Sequence, residues 1–161
     1  MTVRVRQARL TDDSALAALD RRSWSAVAEV APPREPGKPF FGTGQAPADV
    51  LVAEDDGVLV GWIKVVPATG LASNAHVQQI QGLGVDPARR GDGLGRVLLE
   101  AAVDVAARRG TRKVTLRVLS TNTVAQRLYT SAGFAVEGIL IGEFRLQEAD
   151  VDDVLMARWV G

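Results

Sequence analysis

Residues Arg89-Arg90-Gly91-Asp92-Gly93-Leu94-Gly95-Arg96 stand between a strand pattern and a strong helix pattern. A glycine-rich turn that opens a helix aims several unpaired backbone N–H groups at one point, and the helix dipole adds positive character there. Such a site favours a phosphate or pyrophosphate. Two familiar phosphate motifs fail on spacing. The nucleoside triphosphate loop requires Gly-x4-Gly-Lys-Ser/Thr, and no lysine lies near this turn. The dinucleotide fingerprint requires Gly-x-Gly-x-x-Gly, but Gly91-x-Gly93 is followed by Arg96 where the third glycine belongs.

Composition removes other chemistries. The chain has no cysteine, which excludes disulfides, thiolate metal sites and a cysteine nucleophile. A lone histidine, His76, cannot build a multi-histidine metal site, so no metal is expected. The formal net charge of zero argues against nucleic acid or a membrane surface as partner. No run approaches the roughly 18 apolar residues of a membrane span. The N-terminus alternates like a strand and lacks a signal-peptide core, which makes the cytoplasm the expected compartment. At 161 residues, with 47% hydrophobic and 24% charged side chains, the chain reads as one globular domain, residues 1–161.

The elements that must position the turn follow from periodicity. Val3 and Val5 alternate with Arg4 and Arg6 as a first strand. Thr11 followed by Asp12-Asp13 reads as a helix start, and Leu16, Leu19, Ser23 and Val27 continue at helical spacing until Pro32-Pro33. Residues 31–49 hold five prolines and three glycines, a long irregular segment. Phe40-Phe41 within it either line a pocket or pin the loop to the core. Residues 50–54 and 58–66 form a hairpin around Asp55-Asp56-Gly57, and 76–85 form another strand. Leu94, Val97, Leu98, Ala101, Ala102 and Val105 make one helical stripe that Gly110 closes. A strand at 114–118, a short helix at 123–132 and strands at 134–146 and 153–160, joined by a polar loop, complete a β-α-β-β-β-α-β-α-β-β order. This is an α/β domain with the turn in a strand-to-helix crossover.

Arg90-Gly91-Asp92-Gly93-Leu94-Gly95 resembles the Arg/Gln-x-x-Gly-x-Gly/Ala pyrophosphate motif of the GNAT superfamily of acyl-CoA N-acyltransferases. Leu83-Gly84-Val85-Asp86-Pro87 resembles the strand end that leads into it. Asn122-x-x-Ala125-x-x-Leu128-Tyr129-x-x-x-Gly133-Phe134 resembles the family's second block, at matching spacing. The strand order agrees over nearly the whole chain. The resemblance implies a GNAT-like fold: a mixed, mostly antiparallel central sheet, splayed between strands 4 and 5 and flanked by helices.

The resemblance also implies roles. Acetyl-CoA would be the cosubstrate, its pyrophosphate on the amides of Arg90, Gly91, Asp92, Gly93, Leu94 and Gly95, with Arg96 adding charge or remaining solvated. Leu83, Gly84 and Val85 would pair with the pantetheine amides, and one of their N–H groups could polarise the thioester carbonyl. Asn122 would contact the pantetheine arm or hold its own helix start. Tyr129, the only tyrosine, would donate its hydroxyl to the departing sulfur. The reaction implied is direct acetyl transfer to a primary amine, on a small molecule or a peptide. Paired end strands in this family often support dimers, so a homodimer is a further expected partner.

The acceptor side is thinner. An alkyl ammonium is neutral in only about one molecule in 2,500 at pH 7, so a proton must leave. Gln79 and Gln81 on the fourth strand cannot take it. His76, Glu54, Glu143 and Asp152-Asp153 are the remaining candidates, and none stands out. The missing base keeps a second reading open, a non-catalytic acetyl-CoA sensor or scaffold. Ser23, Trp24, Phe40, Phe41 and residues 143–148 are expected to border the acceptor cleft.

Overall fold

The Val3/Val5 alternation forms β1 (Val3–Gln7), which pairs antiparallel with β2 (Val50–Asp55). A computed structural model describes residues 2–161. β2 continues through Asp56-Gly57 into β3 (Val58–Pro67), as the Asp-Gly turn predicts. The order then runs β4 (Val77–Val85), α2 (Leu94–Arg108), β5 (Lys113–Leu119), α3 (Thr123–Ser131), β6 (Ala135–Leu146) and β7 (Ala149–Trp159). Among the described residues, one seven-stranded sheet has the order β1-β2-β3-β4-β5-β7-β6, and only β4 and β5 are parallel. The mixed sheet agrees with the expected fold.

β2 and β3 are nearly continuously apolar because both faces of the sheet are covered. Leu51 and Ala53 join Leu98, Leu99, Ala102 and Ala106 of α2, with Tyr129 and Phe134. Val50 and Val52 join Leu16 and Leu19 of α1 (Asp13–Ser23), together with Phe40, Phe41 and Trp62. Phe40 and Phe41 are buried, edge to face at 5.1 Å, and Phe40 meets Trp62 in the same way. They pin the long loop to the core and do not line the cleft.

Three boundaries depart from the pattern. Thr11 does not cap α1; it lies in a 3-10 turn (Leu10–Asp12), where Asp12 accepts the Arg9 N–H at 2.7 Å. α1 ends at Ser23, well short of Pro32, because Trp24 turns extended and its indole N–H donates to the Ala31 carbonyl at 2.9 Å. Tertiary bonds outweigh the continuing helical spacing. β7 starts at Ala149, not Asp153, because Gln147 and Glu148 both adopt left-handed backbone and close a tight hairpin.

Candidate active site

The β4–β5 ladder runs from Val77↔Lys113 to Ile80↔Leu116 and stops, although β4 continues to Val85 and β5 to Leu119. The two strands part from there, and the gap opens into a cavity of about 460 Å³. Residues 79–83 of β4 and 116–119 of β5 form its walls. Asn122 and Tyr129 close one side, Phe144 and Asp153 another, and Ala28, Glu29 and Val30 a third.

Trp62 shapes the β4 wall. An added Cβ at Gly82 would lie 2.5 Å from its ring, and one at Gly84 2.4 Å from its Nε1. Any larger residue would push the strand off the indole. That Nε1 is itself buried without a partner among the described residues. Past the strand, Asp86 accepts the Ala88 N–H at 3.0 Å, and the chain reaches the glycine turn. Gly91 at φ +87° and Gly93 at φ +80° occupy left-handed backbone with open space around them. Gly93 precedes Leu94 as the start of α2. The amides of Leu94, Gly95 and Arg96 belong to the first helical turn and have no carbonyl of their own helix to meet. Gly95 serves packing instead, because its bare Cα admits Leu128 of α3, which a Cβ would meet at 3.1 Å.

The arginines of the turn are mostly committed within the protein. Arg89 bridges Asp55 and Asp92, each at 2.9 Å, and Arg96 donates to the Ser131 hydroxyl at 2.9 Å. Arg90 makes a long 3.4 Å bond to the Ser23 carbonyl.

Asn122 accepts the Ala125 N–H at 3.2 Å and so holds the start of α3, while it also borders the cavity. About two turns further on, Tyr129 is buried against Phe134. Among the described residues its hydroxyl has no hydrogen-bond partner. Burial, aided by the charge of Glu29, pushes its pKa up to about 12.

The other sequence candidates divide sharply. Glu54 is held by Arg4 and Arg6 at 3.0 and 3.2 Å, first Arg4 and then Arg6 keeping its pKa low. His76 stacks on Trp159 at the closed end of the β4–β5 pair. Asp153 is buried and tied to Arg117, and Glu143 lies 3.9 Å from the same guanidinium. Asp152 accepts the Gly142 N–H. Ser23 and Trp24 do not line the cavity, but Glu29, a few residues on, does. Nothing in the sequence pattern singles out Glu29, because the helical spacing runs on past it to Pro32 although α1 ends at Ser23.

A mixed sheet opened at its parallel pair, with a glycine turn and helix at the opening, is the arrangement that the resemblance to the GNAT superfamily implies. The model of the acetyltransferase (GNAT) family matches residues 14–134, and the chain belongs to that family. A mycothiol acetyltransferase of Sanguibacter keddieii is 42% identical over 99 residues, which span 60% of this chain and 30% of that protein. The match thus spans under a third of that relative's length. A GCN5-related N-acetyltransferase from Kribbella flavida is 29% identical, with a TM-score of 0.81 over 98% of both chains. The Salmonella typhimurium protein yncA, solved with its cofactor acetyl-CoA, is 21% identical, with a TM-score of 0.81 over 100% of this chain and 95% of its own.

Proposed function

We propose that the chain transfers an acetyl group from acetyl-CoA to a primary amine by direct attack within a ternary complex. One observation carries the reading. The cavity between the parted strands is lined by Tyr129, a buried residue whose hydroxyl has no hydrogen-bond partner among the described residues. A hydroxyl without a protein partner beside an open cavity is free to donate to a group that enters it.

The surrounding residues fit acetyl-CoA. The amides of Arg90, Gly91 and Gly93 to Gly95 would take the pyrophosphate, while that of Asp92 donates to the Arg89 carbonyl at 3.3 Å. The β5-facing edge of Leu83, Gly84 and Val85 would take the pantetheine amides, and one of its N–H groups would polarise the thioester carbonyl. Asn122 serves by fixing α3 and hence Tyr129. Burial keeps Tyr129 protonated, so it donates a hydrogen bond to the nascent thiolate. It completes the proton transfer where the same burial raises the basicity of the thiolate.

Titration calorimetry with acetyl-CoA, CoA, NADH and ATP tests the binding half. Micromolar acetyl-CoA binding without competition by NADH or ATP is the expected result. Tyr129→Phe should then lower kcat by about 10²-fold and leave acetyl-CoA affinity unchanged. Full kcat at every pH would remove the leaving-group role. Tight binding with no turnover of any amine would favour the sensor reading.

A further inference from the structure

A carboxylate stands at the cleft that neither motif supplies. Glu29 lies on the irregular segment after α1, and that segment is fastened where it crosses the cavity. The Ser25 carbonyl accepts the Ala28 and Glu29 amides at 3.1 Å each, and the Thr121 hydroxyl donates to the Val27 carbonyl at 2.8 Å. Glu29 borders the same cavity as Tyr129, which reaches it from α3. Among the described residues no cation or donor engages its carboxylate.

We propose that Glu29 receives the ammonium of the acceptor and takes its proton, a role that rests on the acetyl-transfer reading above. The other polar groups of the cleft are unsuited to it. Gln79 and Gln81 hydrogen-bond each other at 2.9 Å and have no proton-accepting charge. Asp153 of β7 is spent on Arg117 of β5. Asp20 of α1 does not line the cavity and is bridged by Arg34 at 2.9 Å. Tyr129 is a donor. Among the described residues of the cleft, Glu29 alone is both charged and unpaired.

Burial raises the Glu29 pKa, and the Asp20 charge adds to it. A carboxylate so placed holds a proton more strongly than a free one and is a better base near neutrality. The residue as a whole is exposed, so this is a rim position that an acceptor can reach.

In the transfer, one ammonium N–H bond breaks and an O–H bond forms on Glu29. The freed nitrogen pair forms the N–C bond as the C–S bond breaks, and the C–S pair leaves with sulfur under the Tyr129 hydroxyl. The nitrogen then releases its surplus proton to solvent. Ala28, Val30 and Phe144 flank this position with apolar surface, which fits an amine on an apolar body.

Glu29→Gln keeps the shape and removes the charge. The probes are 2-phenylethylamine and 2,2-difluoro-2-phenylethylamine, whose fluorines leave the amine largely neutral at pH 7. For the first, kcat/KM should fall about 10²-fold at pH 7 and recover as pH rises, while the second should change less than about threefold. Acetyl-CoA affinity by calorimetry should stay the same. Equal losses for both amines, or none for either, would overturn the role of Glu29 and leave acetyl transfer standing. A wild-type protein that binds acetyl-CoA and acetylates neither amine would overturn the apolar-amine role of this site, and only the absence of turnover across all amines would overturn acetyl transfer with it.

Discussion

Two groups of ionisable side chains obey opposite rules. Around β1, the charges of Arg4, Arg6, Asp12 and Glu54 answer one another. Arg6 grips Asp12 with both Nη atoms, at 2.9 and 3.0 Å, and meets Glu54 through Nε at 3.2 Å. Asp12 also accepts the Arg9 N–H, and first Arg6 and then that amide hold its pKa low against the opposing effect of burial. In the cleft, Glu29 and Tyr129 have no partner among the described residues, and burial pushes both pKa values up. The first arrangement is closed and serves the fold. The second is left open, and its unmet demand is what a ligand can satisfy.

Breaking the closed region should give the largest change. Arg6→Met leaves Asp12 buried and unpaired and should cost about 3 kcal/mol at pH 7, read from urea denaturation. Because folding lowers the Asp12 pKa, its contribution is present above the ordinary carboxylate range and is lost as pH falls through the native value. The gap between variant and wild type should therefore narrow in acid. Gly84→Ala should cost about 1–3 kcal/mol by driving a methyl into Trp62. It should weaken acetyl-CoA binding but leave the acid sensitivity of the β1 network unchanged, which separates the two regions. The smallest effect belongs to the open carboxylate. Glu29→Gln should raise Tm at pH 7 by no more than about 2 °C, since solvent screens a rim charge. A carboxyl whose pKa rises on folding weakens the native state as pH climbs, so this gain should vanish near pH 4. A loss of stability at neutral pH would show instead that Glu29 belongs with the closed set.

Legibility in the sequence follows the same divide. Periodic elements are readable because their burial repeats: the α2 stripe and the β2–β3 hairpin lie where the pattern puts them. The turn at Gly91 and Gly93 is readable because left-handed backbone restricts the residue type. The double function of Asn122, cleft wall and helix cap, needs coordinates to resolve. The end of α1 does not show, since it depends on bonds from Trp24 and to Val27 that join distant residues. Glu29 does not show for the same reason: the helical spacing runs on past it, while in the structure a loop after α1 positions it. Phe40 and Phe41 have two readings that differ only in which face they turn to, and the packing against Trp62 decides between them.

The short β4–β5 ladder has a thermodynamic consequence. Four paired rows hold the sheet together at its middle, and beyond them each strand keeps one edge without a neighbouring strand. A ligand lying in that gap completes the sheet as an added strand would, so its binding energy is also folding energy. Apparent stability should then rise with the logarithm of acetyl-CoA concentration, by about 2.7 kcal/mol at a hundred times Kd. Amide exchange should slow most along residues 81–85 and 117–119, the two rims of the seam, with the hairpin of β2 and β3 little changed.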